Sequence, residues 1–321
     1  MIRLVALLLS LCILLLTGCA GTETTGEDST NYQVIDECGR VLQLQGRPQR
    51  IFAGTTSLEE VLIDLVGPQR LVAISAGATD PSSSLISDKA KDISHTYHGR
   101  KSIEGIVALN PDLVVIQDNM NKEYVKALQE AGLNLYITHV PLNTGMIKER
   151  IRKLAAITGE KARGERLVST MEGKLEIVER ALRKLPREQE KIVMAYSSQG
   201  VFGSRKGLFN NICVNAHVIN GAALAGLEYG EHLSKEKIVE YNPDLLVFPQ
   251  YNIAKQEKTA RLIEEVLSDP ALQGVKAVRE KQVLIIKERY RSTTSHYVGD
   301  AVLSIAQSAY PEYFQEVKKN D

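Results

Sequence analysis

The chain has 321 residues, 24% of them charged, with 39 lysines and arginines set against 39 aspartates and glutamates. That neutral balance argues against a nucleic-acid binder, whose footprint is a basic field. The length exceeds what one typical core holds, so two domains are expected.

Met1-Ile2-Arg3 carries one positive charge, and Leu4 to Leu16 is almost wholly apolar. That run is too short to span a bilayer comfortably and reads as a secretion signal. It ends in Leu16-Thr17-Gly18-Cys19, which resembles a bacterial lipoprotein signal, cleaved so that the Cys19 thiol takes a lipid. Residues 1–18 are therefore assigned to the signal. Residues 19–31, made largely of Thr, Gly, Ser and acids, form a flexible tether that buries nothing. The expected location is outside the cytoplasmic membrane, held to it by lipid.

The folded body is expected from Tyr32 onward. Tyr32 to Gly46 spells a hairpin turning at Cys38-Gly39. Arg50 to Gly54 is a strand. The helix after it has Leu58, Val61, Leu62 and Leu65 on one face and a terminating Gly67. Arg70 to Ser75 is a further strand. Ser102 to Leu109 is a short helix, stopped because Pro111 disfavours helical geometry at Asn110. Asp112 to Gln117 and Asn134 to His139 are strands flanking a helix from Lys122 to Ala131. Strands alternating with helices imply a parallel sheet, here a first lobe over 32–142.

From Gly145 to about Leu185 the pattern is almost purely helical, with Leu167, Met171, Leu175, Val178 and Leu182 every three or four positions. Pro186 ends this segment, 143–186. Alternation then resumes over 187–321. Strands are expected at Lys191–Ser197, Asp244–Gln250 and Gln282–Lys287, with helices at Leu208–Cys213, Ser234–Tyr241, Thr259–Leu267 and His296–Ala309. The expected fold is α/β: two Rossmann-like lobes joined by one long rigid helix, with a ligand cleft between them. The alternative is one continuous sheet with the long helix on its face. Cys38 and Cys213 fall in different halves, where a disulfide would staple the lobes together, so both are expected to be unpaired thiols.

One corner occurs twice. "SIEGIVALNPDLVV" from Ser102 is nearly repeated as "SKEKIVEYNPDLLV" from Ser234, which favours two pseudo-symmetric lobes. Ser102 and Ser234 are good N-caps, and Glu104 and Glu236 fall in first helical turns, where the helix dipole favours a carboxylate. In a single copy, that would make each glutamate ordinary helix-start chemistry. Matching carboxylates on matching corners suit a partner with two related basic sites.

The lipobox, "RPQRIFAG" entering a helix, "EGIVALNPDLVV", the central helix, "LSKEKIVEYNPDLLVF" and "VKAVREKQVLII" occur in one order. In that order the chain after Tyr32 resembles a class III substrate-binding protein of ABC importers, the group serving ferric siderophores, haem and cobalamin. The resemblance implies a non-catalytic protein that delivers a metal chelate to a permease dimer with its ATPase subunits. Glu104 and Glu236 would dock onto permease arginines. No catalytic cofactor is implied; the iron or cobalt chelate is cargo.

Ligand residues are expected on loops at the carboxyl ends of strands. Thr56, Tyr97, Tyr196, Tyr229, Tyr251 and Tyr290 offer polar or flat faces, and Arg100, Arg205, Arg289 and Arg291 offer fixed positive forks. Tyr196 and Tyr251 are equally suited to core edges, and Arg205 and Arg291 to solvated loops. "HTYHGRKSIEG" resembles the haem-binding branch, with Tyr97 or His98 as metal ligand, although the spacing from Tyr97 to Arg100 is one residue longer than that branch uses. A free metal ion or an oxyanion is the alternative cargo. The chain has no G-x-x-x-x-G-K-[ST], H-E-x-x-H or G-x-S-x-G motif. The enzyme alternative therefore lacks a motif, and a structural lipoprotein would leave the polar, aromatic crevice unexplained. "SSQGVFGSRKG" is read as a mobile rim.

Overall fold

The computed structural model describes residues 31–81, 84–228, 231–250 and 256–315. The signal, Cys19, the tether up to residue 30, Tyr229 and Tyr251 lie outside these. The expected hairpin forms from β1 (Asn31–Ile35) and β2 (Val41–Gln45). In the first lobe β3 (Ile51–Ala53), β6 (Leu113–Gln117) and β7 (Leu135–Thr138) make a parallel sheet, with β6 in the centre. All three are buried throughout, as a parallel sheet covered on both faces requires. The Arg70–Ser75 strand shrinks to β4 (Ile74–Ser75), paired with β5 (Thr96–Tyr97). Helices α1 (Thr56–Val66), α2 (Ile103–Val107) and α3 (Lys122–Glu130) connect these strands.

The helical segment is not one rod. α4 (Thr144–Thr158) ends at Gly159, whose φ of 78° is the left-handed stop glycine tolerates. α5 (Lys161–Leu182) then packs back along it, so closely that a Cβ on Gly164 would collide with Ala155. Met171, Val178 and Leu182 are buried as expected, joined by Val168, whereas Leu167 and Leu175 are only partly covered.

In the second lobe β10 (Ile219–Asn220), β8 (Ile192–Ser197), β11 (Leu245–Gln250) and β12 (Val283–Lys287) form a parallel sheet in that order. The segment expected to be a mobile rim instead contributes β9 (Gly200–Phe202), paired antiparallel with β8. Around the sheet lie α6 (Leu208–Asn215), α7 (Lys235–Tyr241), α8 (Gln256–Ser268) and α9 (Val298–Ala309).

The repeated corner is the same in both lobes. Ser102 Oγ accepts from Gly105 N–H and Ser234 Oγ from Lys237 N–H. Asn110 and Asn242 turn the chain with φ of 46° and 41°, a conformation asparagine accepts more readily than most residues. Asp112 and Asp244 then accept backbone N–H groups opening the neighbouring strand, at Arg50 and Ile192. Each copy therefore splices a helix into a central strand.

One buried apolar cluster runs from Leu58, Leu62 and Ile51 in the first lobe through Ile151 and Val168 to Leu208, Val302 and Ile305 in the second. The lobes share that core, and each keeps a smaller core on its other face. Cys38 and Cys213 are both free thiols, the first exposed and the second buried. No described helix is long and apolar enough to cross a membrane.

Candidate functional site

Two hollows open at the carboxyl ends of the sheets, where loops rather than ladders finish the backbone. The first-lobe hollow, about 330 Å³, is bounded by Thr55, Tyr97, Arg100, Lys101, Gln117, Asn119 and Tyr124. Arg100 lies over the Tyr124 ring at 4.9 Å and Lys101 lies 5.8 Å from the Tyr97 ring centroid, so both cations rest on aromatic faces. The second-lobe hollow, about 550 Å³, is bounded by Ser197, Gln199, Phe202, Ser204, Glu228, Glu231 and His232. The first hollow is thus cationic and aromatic, the second acidic and hydroxylic.

The expected ligand residues divide accordingly. Arg100 and the Tyr97 ring line the first hollow. Thr56 opens α1, but its neighbour Thr55 both caps that helix and reaches the hollow. His98 is exposed and lines neither hollow. Arg205 is exposed beside Ser204.

Tyr97 departs from the metal-ligand expectation. Its hydroxyl points inward, 3.1 Å from Glu59 Oε1 and 3.2 Å from the Ala53 carbonyl oxygen. Burial, then the Glu59 carboxylate, push the phenol above its usual range. Glu59 is itself buried, which raises its pKa against hydrogen bonds from Ser75 and Tyr97. Tyr97 therefore offers the hollow a ring face and keeps its oxygen for the protein.

Tyr196 departs too. It is buried in the second lobe's own core, its ring stacked on Phe248 at 5.2 Å, and its hydroxyl has no partner among the described residues. Tyr290 borders a third depression with Asp300 and Leu303 of α9, sharing no residue with the two hollows. Arg291 pairs with Glu288 at 2.6 Å and covers the Phe202 ring.

Arg289 is committed to the lobe junction. Its Nε donates to Glu60 Oε1 at 3.0 Å and its Nη2 to Ser57 Oγ at 2.9 Å. Glu60 Oε2 also accepts from Thr293 and Ser295 hydroxyls at 2.7 and 2.8 Å. One turn on, Asp64 accepts from Tyr297 at 2.8 Å, faces His296 at 3.2 Å and is paired with Lys89. Burial would raise its pKa, but these partners outweigh it and hold the carboxyl at about 2. Ser57, Glu60 and Asp64 recur at helical spacing, giving α1 a polar stripe that seats the loop after β12. Arg150, fully buried, donates to Thr294 in the same loop; desolvation draws its pKa down to about 10.

Sequence reasoning did not single out Lys101, although it ends the HTYHGRK loop, and missed Gln117, Asn119 and Tyr124, although Gln117 ends a strand and Asn119 follows it, the signal used elsewhere. Glu228, Glu231 and His232 lie on the loop 226–232, which sequence reasoning offered as a ligand loop without singling them out. Glu104 and Glu236 are both exposed on their first turns. Among the described residues no three His, Cys, Asp or Glu side chains converge on a metal-sized site.

The profile of the periplasmic binding protein family matches residues 51–290. An uncharacterized ABC transporter substrate-binding lipoprotein of Bacillus subtilis, YvrC, is 21% identical over 96% of this chain and 97% of its own. The molybdate-binding protein MolA of Haemophilus influenzae is 20% identical over 67% of this chain and 66% of its own. The periplasmic heme-binding protein RhuT of Roseiflexus sp. RS-1 superposes with a TM-score of 0.69 at 24% identity, covering 81% of this chain and 99% of its own. That likeness is one of fold.

Proposed function

The chain belongs to the periplasmic binding protein family, and from that premise we propose that it is the solute-binding component of an ABC importer. In this reading Cys19 carries the lipid that holds it outside the cytoplasmic membrane. Its cargo is an anionic metal chelate, passed unchanged to a permease dimer with ATPase subunits. Glu104 and Glu236 are the docking contacts.

The observation that carries the cargo class is the first-lobe hollow. Arg100 and Lys101 stand on aromatic rings beside two amide side chains, Gln117 and Asn119. Cations held this way recognise carboxylate or other oxygen-rich groups, and the ring faces suit a flat ligand body. The acidic second-lobe hollow, with Glu228, Glu231 and His232, suits a ligand that also carries hydrogen-bond donors. A ferric siderophore fits this pairing, with haem or a corrinoid next. The cationic wall and the molybdate-binding relative also favour a second reading, a free oxyanion.

Titration with a panel of haem, ferric siderophores, cobalamin and molybdate tests the proposal, with bound ligand recovered afterward. One chelate is expected to bind tightly and to return unchanged, weakened by Arg100→Ala. Saturable binding of molybdate alone supports the second reading, and conversion of any ligand to product contradicts both.

A further inference from the structure

Glu59 stands in the first turn of α1 and is fully buried. Its Oε1 accepts from Ser75 N–H at 2.6 Å and from the Tyr97 hydroxyl at 3.1 Å, and its Oε2 accepts from Ser75 Oγ at 2.6 Å. Ser75 and Tyr97 are register partners across β4 and β5, so one carboxyl gathers both members of the pair. All three donors are neutral. Burying a carboxyl among neutral donors is costly, and an apolar side chain at this position would avoid the cost.

The Tyr97 ring leans on Phe52 at 5.7 Å, and both residues border the first-lobe hollow. The hydroxyl end faces the other way, toward Glu59 and the Ala53 carbonyl. Tyr124, also at the hollow, donates its hydroxyl to the Lys101 carbonyl at 2.8 Å. Both phenols therefore show the hollow a ring and keep their oxygens on the protein. Among the described residues, none bordering the hollow is His, Cys, Asp or Glu. The Met120 thioether there is a soft ligand, poorly matched to ferric iron. Burial, then the Glu59 carboxylate, raises the Tyr97 pKa and keeps the phenol protonated.

We propose that Glu59 is a positioning residue of the ligand site, which holds the Tyr97 hydroxyl so that the hollow receives the ring face and not the oxygen. The first lobe then favours a chelate whose metal is already fully coordinated over one, such as haem, that keeps an open axial position. The inference rests on the chelate reading of this hollow and deepens it by naming the class of chelate. His98, Gly99 and Arg100, which follow Tyr97, are exposed, so a ring released from Glu59 has room to turn. A released phenol that reaches the iron of haem loses its proton to solvent and gives an oxygen lone pair to the metal, which stays ferric.

The test titrates the protein with haemin and with two fully coordinated ferric siderophores, a tris-catecholate and a tris-hydroxamate. Wild type is expected to bind at least one siderophore about tenfold more tightly than haemin, and to show no tyrosinate-to-iron absorbance band with haemin. In Glu59→Leu, haemin affinity is expected to rise about tenfold as that band appears, with siderophore affinity unchanged. Adding Tyr97→Phe to Glu59→Leu should remove both gains. Glu59→Gln, whose amide oxygen still accepts the phenol, should behave as wild type. Ser75→Ala takes a hydrogen bond from the same carboxyl but leaves Tyr97 held, so it should lose stability in urea without gaining the band. A band in Ser75→Ala would trace the change to general loosening and overturn the positioning role. So would a tyrosinate band in wild type, haemin bound more tightly than either siderophore, or unchanged haemin affinity in folded Glu59→Leu, each leaving the chelate reading in place. The wild-type measurements need no variant, so a Glu59→Leu protein that fails to fold does not shield the inference. Wild type that binds none of the three probes contradicts the chelate reading itself, and the inference with it.

Discussion

Arg289 Nε lies 3.0 Å from the Glu60 carboxylate, joining the loop after the last strand of the second lobe to the first helix of the first. Glu60 is fully buried and accepts three donors from that loop. Removing one partner of such a pair leaves the other charged and unpaired in a low-dielectric site. Glu60→Ala is expected to cost about 3 kcal/mol in urea unfolding. Glu60→Ala combined with Arg289→Met should recover part of that loss. A cost for the single variant below about 0.5 kcal/mol, the range of ordinary surface changes, would mean that the junction contributes nothing.

Asp64 sets the acid limit of the same junction. Its folded pKa, about 2, lies below the ordinary 3.8. A depressed carboxyl contributes stability that is present above its unfolded pKa and is lost as pH falls through the folded one. The contribution is about 2 kcal/mol and should fade between roughly pH 5 and pH 2. Urea unfolding of wild type and Asp64→Asn is therefore expected to converge by that amount over the interval. The comparison cancels groups of opposite sign such as Glu59, whose raised pKa favours the folded state at low pH. A stability difference independent of pH would contradict the account.

Tyr97→Phe separates the ring from its oxygen. The hydroxyl serves Glu59 and the Ala53 carbonyl rather than the hollow. The variant should lose about 1 kcal/mol of stability while leaving the absorbance spectrum of any bound chelate unchanged. Loss of a tyrosine-to-metal band in the variant would place the phenol on the metal.

Glu104→Ala with Glu236→Ala should abolish uptake in cells and spare ligand affinity in solution. Both carboxylates are exposed, far from any core role. Uptake at the wild-type rate would remove the docking assignment; affinity lost in step with uptake would move the glutamates into the ligand site.

Much of the architecture was legible because it rests on local rules. Apolar runs, caps and the Asn-Pro-Asp stop placed most strands and helices within a few residues. Gly159 marks the break between the two helices in the sequence itself, but that the second packs back along the first is set by tertiary contact and has no local signal. β9 is only three residues beside glycines, too short to carry a strand pattern. The site was less legible because an arginine in a polar loop looks the same whether it faces ligand or a buried acid. Arg289 meets Glu60 across 229 positions of sequence. Glu59 likewise looks like a first-turn carboxylate favoured by the helix dipole, and Glu60 like its solvated neighbour; only the packing around α1 shows that both are buried. The shape of the repeated corner was legible, because both copies carry the same serine cap and the same Asn-Pro-Asp stop.

The most direct test of the central claim is absorbance and mass spectrometry of whatever co-purifies with the body from Tyr32 onward, expressed and exported in cells supplied with iron and cobalt. An intact anionic metal chelate near one per protein is the predicted result, displaced when Arg100 and Lys101 are both replaced by Ala. A protein that co-purifies empty, and that neither retains nor later binds any chelate or oxyanion, would contradict it.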